Sequence, residues 1–314
     1  MCLLSGCQVR NTDIVVSKSL NSKQAFRIGT MTCSMTEAKV YLANYQNIYG
    51  SAYGIDLWEE DFGENSLESY VKDVTISKLS QIIAMDLLAE DQGITLSDKE
   101  KEQISEAAKA YYDTLGKKEI SYMGVTSGDI VTYYEHYALA QKLYQSLTGS
   151  VNEEVSDDEA RVMEAMQIYV TDETKASEVA EKLAAGEDFA SVANNYNEAS
   201  AIEITIARDD MPKEVEDEAF RLDDNEISGM ITTDDGYYFI KCLNKYNEEL
   251  TDANKINIVQ KREKEAFDDI YEEFIEKQKS YFNVKAWDAV EVDTDSDITT
   301  NRFFEIYDTY CSES

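Results

Sequence analysis

Along the first half of the chain, apolar residues recur every three or four positions and polar residues fill the intervals. After a Thr/Ser-rich start near Thr36, Val40, Leu42, Tyr45, Ile48 and Tyr49 keep the spacing of one helical face. An aromatic, glycine-containing turn is expected over 53–63. A long amphipathic helix is predicted over 66–92, with Leu67, Val71, Val74, Leu79, Ile82, Ile83, Leu87 and Leu88 on its apolar side and Gly93 ending it. Ser97 and Glu100 stand at capping-box spacing, so the next helix opens there and carries Ile104, Ala107, Ala108, Tyr111 and Leu115. Lys117–Met123 and 127–147 read as two more helices, the latter with Ile130, Tyr134, Tyr137 and Leu143 on one face. This half of the chain is expected to be all-α.

The period changes after the acidic stretch 149–158. Gln167-Ile168-Tyr169-Val170 reads as a strand, 175–185 and 189–196 as helices, and 201–207 as an alternating strand. A helix is predicted over 212–220, and a closing strand over 237–243 behind the turn Asp234-Asp235-Gly236. The order β-α-α-β-α-β implies a small α+β domain whose sheet is covered by helices. Helical spacing returns over 252–282 through Ile256, Val259, Phe267, Ile270, Phe274 and Ile275, with Lys/Glu pairs suited to an exposed face. That helix needs an apolar partner, and the N-terminal helical half is the natural one. An extended run over 284–292 contains Trp287, and an acidic tail holds Phe303, Phe304, Tyr307 and Tyr310.

The 314 residues suffice for about two domains, and 43% hydrophobic content builds ordinary cores. With 29 basic against 63 acidic residues, the formal charge is −34. Such a field repels phosphate backbones and anionic headgroups, which excludes a nucleic-acid partner. Its plainer role is solubility, and its sharper one is attraction of basic, unfolded segments of other proteins. The five cysteines form no CxxC pair, and nowhere do about 18 apolar residues run together. His136 is the sole histidine, so zinc sites and Ser/His/Asp triads lack partners, and it is read as a packed or surface residue. The Asp293 to Asp297 run begins like an EF-hand loop. Ile298 stands where the turn needs glycine, and Phe304 where the loop needs glutamate, so no metal site is expected. The tyrosine clusters and the residues Trp58 and Trp287 are read first as core. Some tyrosines are alternatively suited to line a groove for apolar client segments.

Four stretches of the α+β segment resemble the parvulin family of prolyl isomerases in order and spacing. They are Ala184-Ala185-Gly186-Glu187-Asp188-Phe189-Ala190 with Ala193; Glu218-Ala219-Phe220-Arg221-Leu222; Asn225-Glu226-Ile227-Ser228; and Gly236-Tyr237-Tyr238-Phe239-Ile240-Lys241. With helices on both sides, the plan is similar to that of PrsA/SurA-like extracytoplasmic foldases. The resemblance implies an α+β fold class, in which a mostly helical chaperone-like domain carries an inserted small parvulin-like domain. The expected divisions are a tether over 1–30, a helical domain over 31–160 and the parvulin-like domain over 161–247. A returning helix and strand over 248–292 and the acidic tail over 293–314 complete them. It also implies binding of unfolded exported polypeptides, without a cofactor. The competing class is a non-catalytic binding or scaffold lipoprotein reusing the fold.

Carried over by position, the family's two histidines fall on Gln167 and Tyr238, and the Asp or Cys of its central loop falls on Ala199 or the adjacent Glu198. The loop is shortened, and Ile202-Glu203-Ile204-Thr205-Ile206 replaces a Gly-Gly-Asp-Leu-Gly run. The apolar proline pocket would be formed by Met211, Val215, Thr233 and Phe239. Gln167 and Tyr238 retain hydrogen-bonding groups that suit a weak isomerase; alternatively they only fill a small core. Because three polar positions change together with the loop, isomerase activity is expected to be weak or lost.

At the N-terminus, Leu4-Ser5-Gly6-Cys7 matches a lipobox, in which the cysteine receives a diacylglycerol. Only six residues precede Cys7, fewer than a signal peptide supplies, so the start is expected to be truncated or misassigned. The polar run 8–23 suits a tether, and a lipid on Cys7 would hold the protein outside the cytoplasmic membrane.

Overall fold

The computed structural model describes residues 14–16, 20–52, 55–56, 58, 66–293 and 297–311. The lipobox with Cys7 and most of the turn expected over 53–63 lie outside these residues. Two compact units are present, one of Met1–Ser150 with Ala266–Ser314, the other of Val151–Glu265.

The chain enters the first unit through β1 (Ile14–Val16), β2 (Gln24–Ile28) and β3 (Met31–Ser34). β2 and β3 form an antiparallel hairpin around Gly29, whose φ of +54° suits glycine. Its strand β2 begins inside the stretch expected as a tether, and Ala25 and Phe26 on it are buried. The first half is therefore not all-α. Hydroxyl and carboxylate caps then start the helices. Ser34 accepts from the Glu37 amide to open α1 (Met35–Tyr49), which leads into the two-stranded pair β4 (Ser51–Ala52) and β5 (Ile55–Asp56). Ser66 opens α2 (Leu67–Asp91), and the capping box of Ser97 and Glu100 opens α3 (Asp98–Thr114). Glu119 accepts from the Gly116 amide at the start of α4 (Lys117–Met123), and Thr126 with Asp129 caps α5 (Ser127–Thr148).

The second unit runs through α6 (Asp157–Ala160), β6 (Met163–Val170), α7 (Glu173–Ala184), α8 (Phe189–Tyr196), β7 (Glu203–Ile206), α9 (Lys213–Ala219), β8 (Ile231–Thr232) and β9 (Tyr237–Asn244). Its antiparallel sheet has the order β7-β6-β9-β8. β8 is too short for its alternation to be read from sequence.

α10 (Glu248–Ile275) contributes residues to both units. It stops short of the 282 expected from periodicity, because β10 (Ser280–Phe282) pairs with both β1 and β2 and strand pairing overrides the helical pattern there. The 284–292 run is likewise not extended throughout. Asn283 caps a short helix, α11 (Val284–Asp288), which buries Trp287. Within the acidic tail, α12 (Phe303–Cys311) buries Phe303, Ile306 and Tyr307 among Tyr41, Tyr111 and Tyr134. Among the described residues no helix is long and apolar enough to cross a membrane.

His136 lies on α5, and its Nδ1 is 2.8 Å from Oε1 of the buried Glu37. Burial pulls the imidazole pKa down, but the Glu37 hydrogen bond and the charges of Glu37 and Asp86 outweigh it and raise the value to about 8. Asp86 is fully buried, and neither of its carboxyl oxygens has a hydrogen-bond partner.

Candidate functional site

The pleat of β6 and β9 sorts the second unit's side chains onto two faces. Met163, Ala165, Ile240 and Cys242 meet Val215 and Ala219 of α9 on one side. Ile168, Val170 and Phe239 meet Ala176 and Val179 of α7 and Phe189 and Val192 of α8 on the other. The strand register sets Gln167 opposite Ile240 and Tyr169 opposite Tyr238. Alternation therefore places Gln167, Tyr169 and Tyr238 on the α9 side. The family positions 167 and 238 thus share a face, as diagonal neighbours on adjacent strands.

Gln167 is buried, and its amide Nε2 donates to the Ala201 carbonyl at 3.0 Å, while its backbone N–H donates to Ile202 at 2.8 Å. It thereby ties the central loop to the opening strand. Ala199 brings only a methyl group; its N–H donates to Asn197 Oδ1 at 3.2 Å, and its carbonyl accepts from Asn197 Nδ2 at 3.1 Å. Glu198 points its carboxylate elsewhere, accepting from the Thr171 backbone N–H and hydroxyl and pairing with Lys175 at 2.6 Å. The Lys175 hydrogen bond and then the two from Thr171 pull its pKa down to about 2, so it is an anion at neutral pH and no proton donor.

Tyr238 is half-buried, with its ring 4.7 Å from that of Tyr169 at an interplanar angle of 38°. Burial, and then the neighbouring Tyr169 and Asp235, push its phenol above the ordinary tyrosine range. The Tyr169 hydroxyl donates to the Asp235 carbonyl at 2.6 Å. Gly236 permits this approach: a Cβ there would lie 2.7 Å from both the Tyr169 ring and the Val170 carbonyl oxygen. Sequence reasoning missed Tyr169 and Asn197. The signal for Tyr169 was present, since it stands two residues after Gln167 and so on the same face.

The four residues expected to form the proline pocket are not brought together. Val215 is fully buried against Ile240, and Met211 packs half-buried beside it. Thr233 turns inward on its own hairpin, where its N–H and hydroxyl both donate to the Gly236 carbonyl at 2.9 and 3.0 Å. Phe239 is a correction: one residue on from Tyr238, it points to the opposite face and fills the α7/α8 core. Phe220, from the Glu218 to Leu222 motif, is held between two guanidinium groups, Arg208 at 4.1 Å and Arg161 at 5.0 Å from its ring centre. It borders a cleft of about 410 Å³ with Leu222 and Tyr246.

Residues 125–256 match the family model of the PPIC-type PPIase domain. Over 252 residues, 71% of this chain and 76% of the relative, the sequence is 27% identical to the foldase protein PrsA of Caldanaerobacter subterraneus subsp. tengcongensis. The chain is thus similar to parvulin-type PrsA foldases, and its residues 125–256 carry the PPIC-type match. A second PrsA, from Clostridium acetobutylicum, is 25% identical over 304 residues, covering 87% of each chain. Among solved structures, PrsA of Bacillus cereus is 22% identical with a TM-score of 0.41, covering 79% of this chain and 96% of that one. The scaffold motifs remain in this chain, while positions 167, 199 and 238 carry a hydrogen-bonded amide, a methyl group and a phenol packed against Tyr169.

Proposed function

We propose that this protein is an extracytoplasmic folding factor that holds unfolded exported polypeptides, and that its parvulin-like unit has lost most or all of its prolyl isomerase activity. A parvulin accelerates rotation about an X-Pro bond, a process that takes roughly tens to hundreds of seconds unaided. No covalent bond breaks, so catalysis rests on groups that favour the twisted amide over the planar one. The carrying observation is the state of Gln167. One of its two N–H donors is committed to the Ala201 carbonyl, which fixes the amide against the central loop, and Ala199 offers only a methyl group where the family has Asp or Cys. Val215 and Ile240 have no exposure, so neither offers apolar surface to a proline ring.

Holding requires no such chemistry, which leaves the foldase role intact when isomerisation is lost. The lipobox at Leu4 to Cys7 supports a lipid anchor, for which the expected signature is the mass of a diacylglycerol thioether on Cys7 in membrane-extracted protein. The folding role is tested with a chemically unfolded client protein diluted into buffer. At a stoichiometric amount, this protein is expected to suppress the rise in light scattering. Undiminished aggregation would overturn the holding role and favour a scaffold that only reuses the fold.

A further inference from the structure

The stretches 288–293 and 297–310 are bound by the first unit largely through their main chain. Side chains of all five helices α1 to α5 bind its main chain. Lys72 donates to the Val290 carbonyl at 2.7 Å, Tyr122 to that of Glu291 at 2.8 Å, and Gln46 to that of Asp293. Further along, Glu119 accepts from the Thr299 and Thr300 amides at 2.9 and 2.8 Å, and Asn47 donates to the Thr300 carbonyl at 2.9 Å. Asn44 accepts from the Phe303 amide at 3.1 Å, the Tyr134 hydroxyl donates to the Phe303 carbonyl at 2.6 Å, and Gln103 donates to that of Tyr310 at 3.2 Å.

Main-chain contacts fix register without reading sequence. Sequence is read at the rings. Phe303 lies 4.3 Å from Tyr134 and 5.2 Å from both Tyr41 and Tyr111, and Phe304 stacks on Tyr45 at 5.2 Å. Tyr307 meets Tyr137 edge-on at 4.9 Å. The combination is a groove lined by tyrosines that accepts an irregular stretch followed by a helical turn bearing two adjacent aromatics. Tyrosine suits such a task, since it gives large contact area and a polar tip.

We propose that this groove is a polypeptide-binding site, that the chain's own 297–311 segment is its resident occupant, and that an unfolded client segment with paired aromatics takes its place. The proposal deepens the holding role and rests on it. Tethering gives the resident segment a high effective concentration, so the groove stays closed until a client competes for it. Acidic residues of the segment, among them Asp297 paired with Lys118, add contacts that a client lacking acids at those places does not supply.

A reversible lock on the intact chain tests this. Gln103 and Tyr310 lie side by side at the groove's end, so Q103C and Y310C, with Cys2, Cys7 and Cys311 replaced by serine and the buried Cys33 and Cys242 retained, accept a cleavable thiol-to-thiol crosslinker. The probe is a fluorescein-labelled synthetic peptide of residues 297–311. The open form is expected to bind it, the locked form to bind it at least about tenfold more weakly, and cleavage of the crosslink to restore binding. Equal binding by the two forms, or none by the open form, would overturn the proposal. The aggregation assay on the same samples separates the two failures. Equal suppression by locked and open forms removes the groove and keeps the holding role, whereas no suppression by either removes the holding role itself.

Discussion

Replacing Asp86 with leucine is expected to stabilise the first unit, with a gain about 3 kcal/mol larger at pH 8 than at pH 5. The carboxyl is wholly buried, and both of its oxygens lack a partner. Burial pushes its pKa up to about 8; the charge of His136 pulls the other way, and those of Glu37 and Glu90 add to the rise. The folded value thus lies above the ordinary 3.8, so folding favours the protonated form. Stability is fully present below the unfolded value and is lost progressively as pH rises toward 8. His136 acts in the same direction, because its folded value of about 8 also exceeds its ordinary 6.5, and its contribution fades between those limits. Leucine removes the Asp86 part and leaves the share of the His136 part that comes from Glu37. Trp58 and Trp287 are the two tryptophans, and both belong to the first unit, so fluorescence in a urea titration reads that unit selectively. Parallel pH profiles for the two proteins would show that Asp86 is not the source of the dependence.

Truncating Phe303 to alanine is expected to cost about 3–5 kcal/mol, enough to unfold a marginal unit. The ring has no exposure and contacts Tyr41, Tyr111, Tyr134 and Phe304. The cost combines lost transfer energy, the cavity left among four rings and the loss of aromatic pairing. The same fluorescence titration reads it as a large fall in the urea midpoint. A change below about 1 kcal/mol would mean that the C-terminal helix contributes little to the core. Tyr310 at the rim is 40% exposed, and its truncation is expected to cost far less.

How far the fold was legible depends on whether an element's determinants are local. The capping box at Ser97 announces its helix within four residues, and α4 is legible at the bounds it adopts. Of the second unit's long strands, β9 is legible almost to its bounds, whereas only the second half of β6, 167–170, reads as a strand. The C-terminal part did not, because β10 exists only by pairing with β1 and β2, and α12 only by packing into a groove made by the opposite end of the chain. A run such as Phe303-Phe304-Glu305-Ile306-Tyr307 looks like an acidic, aromatic tail until those partners are present.

At the site, sequence found the strand positions 167 and 238, which the register brings to one face. It erred at Phe239 because motif matching ignores the pleat, in which adjacent residues point to opposite faces. It could not show that the Gln167 amide donates to Ala201, since that bond depends on how the shortened loop closes over the strand. These bonds distinguish a polar residue available to a substrate from one already used by the fold.

The proposed loss of catalysis is most directly tested by a protease-coupled isomerisation assay on the intact chain with a short X-Pro peptide, beside a histidine-containing parvulin. A rate at or barely above the uncatalysed one is expected, with the client-holding activity unaffected in the same preparation. A rate matching the histidine-containing enzyme would contradict the account, because Gln167 and Tyr238 would then perform the chemistry despite their contacts with Ala201 and Tyr169.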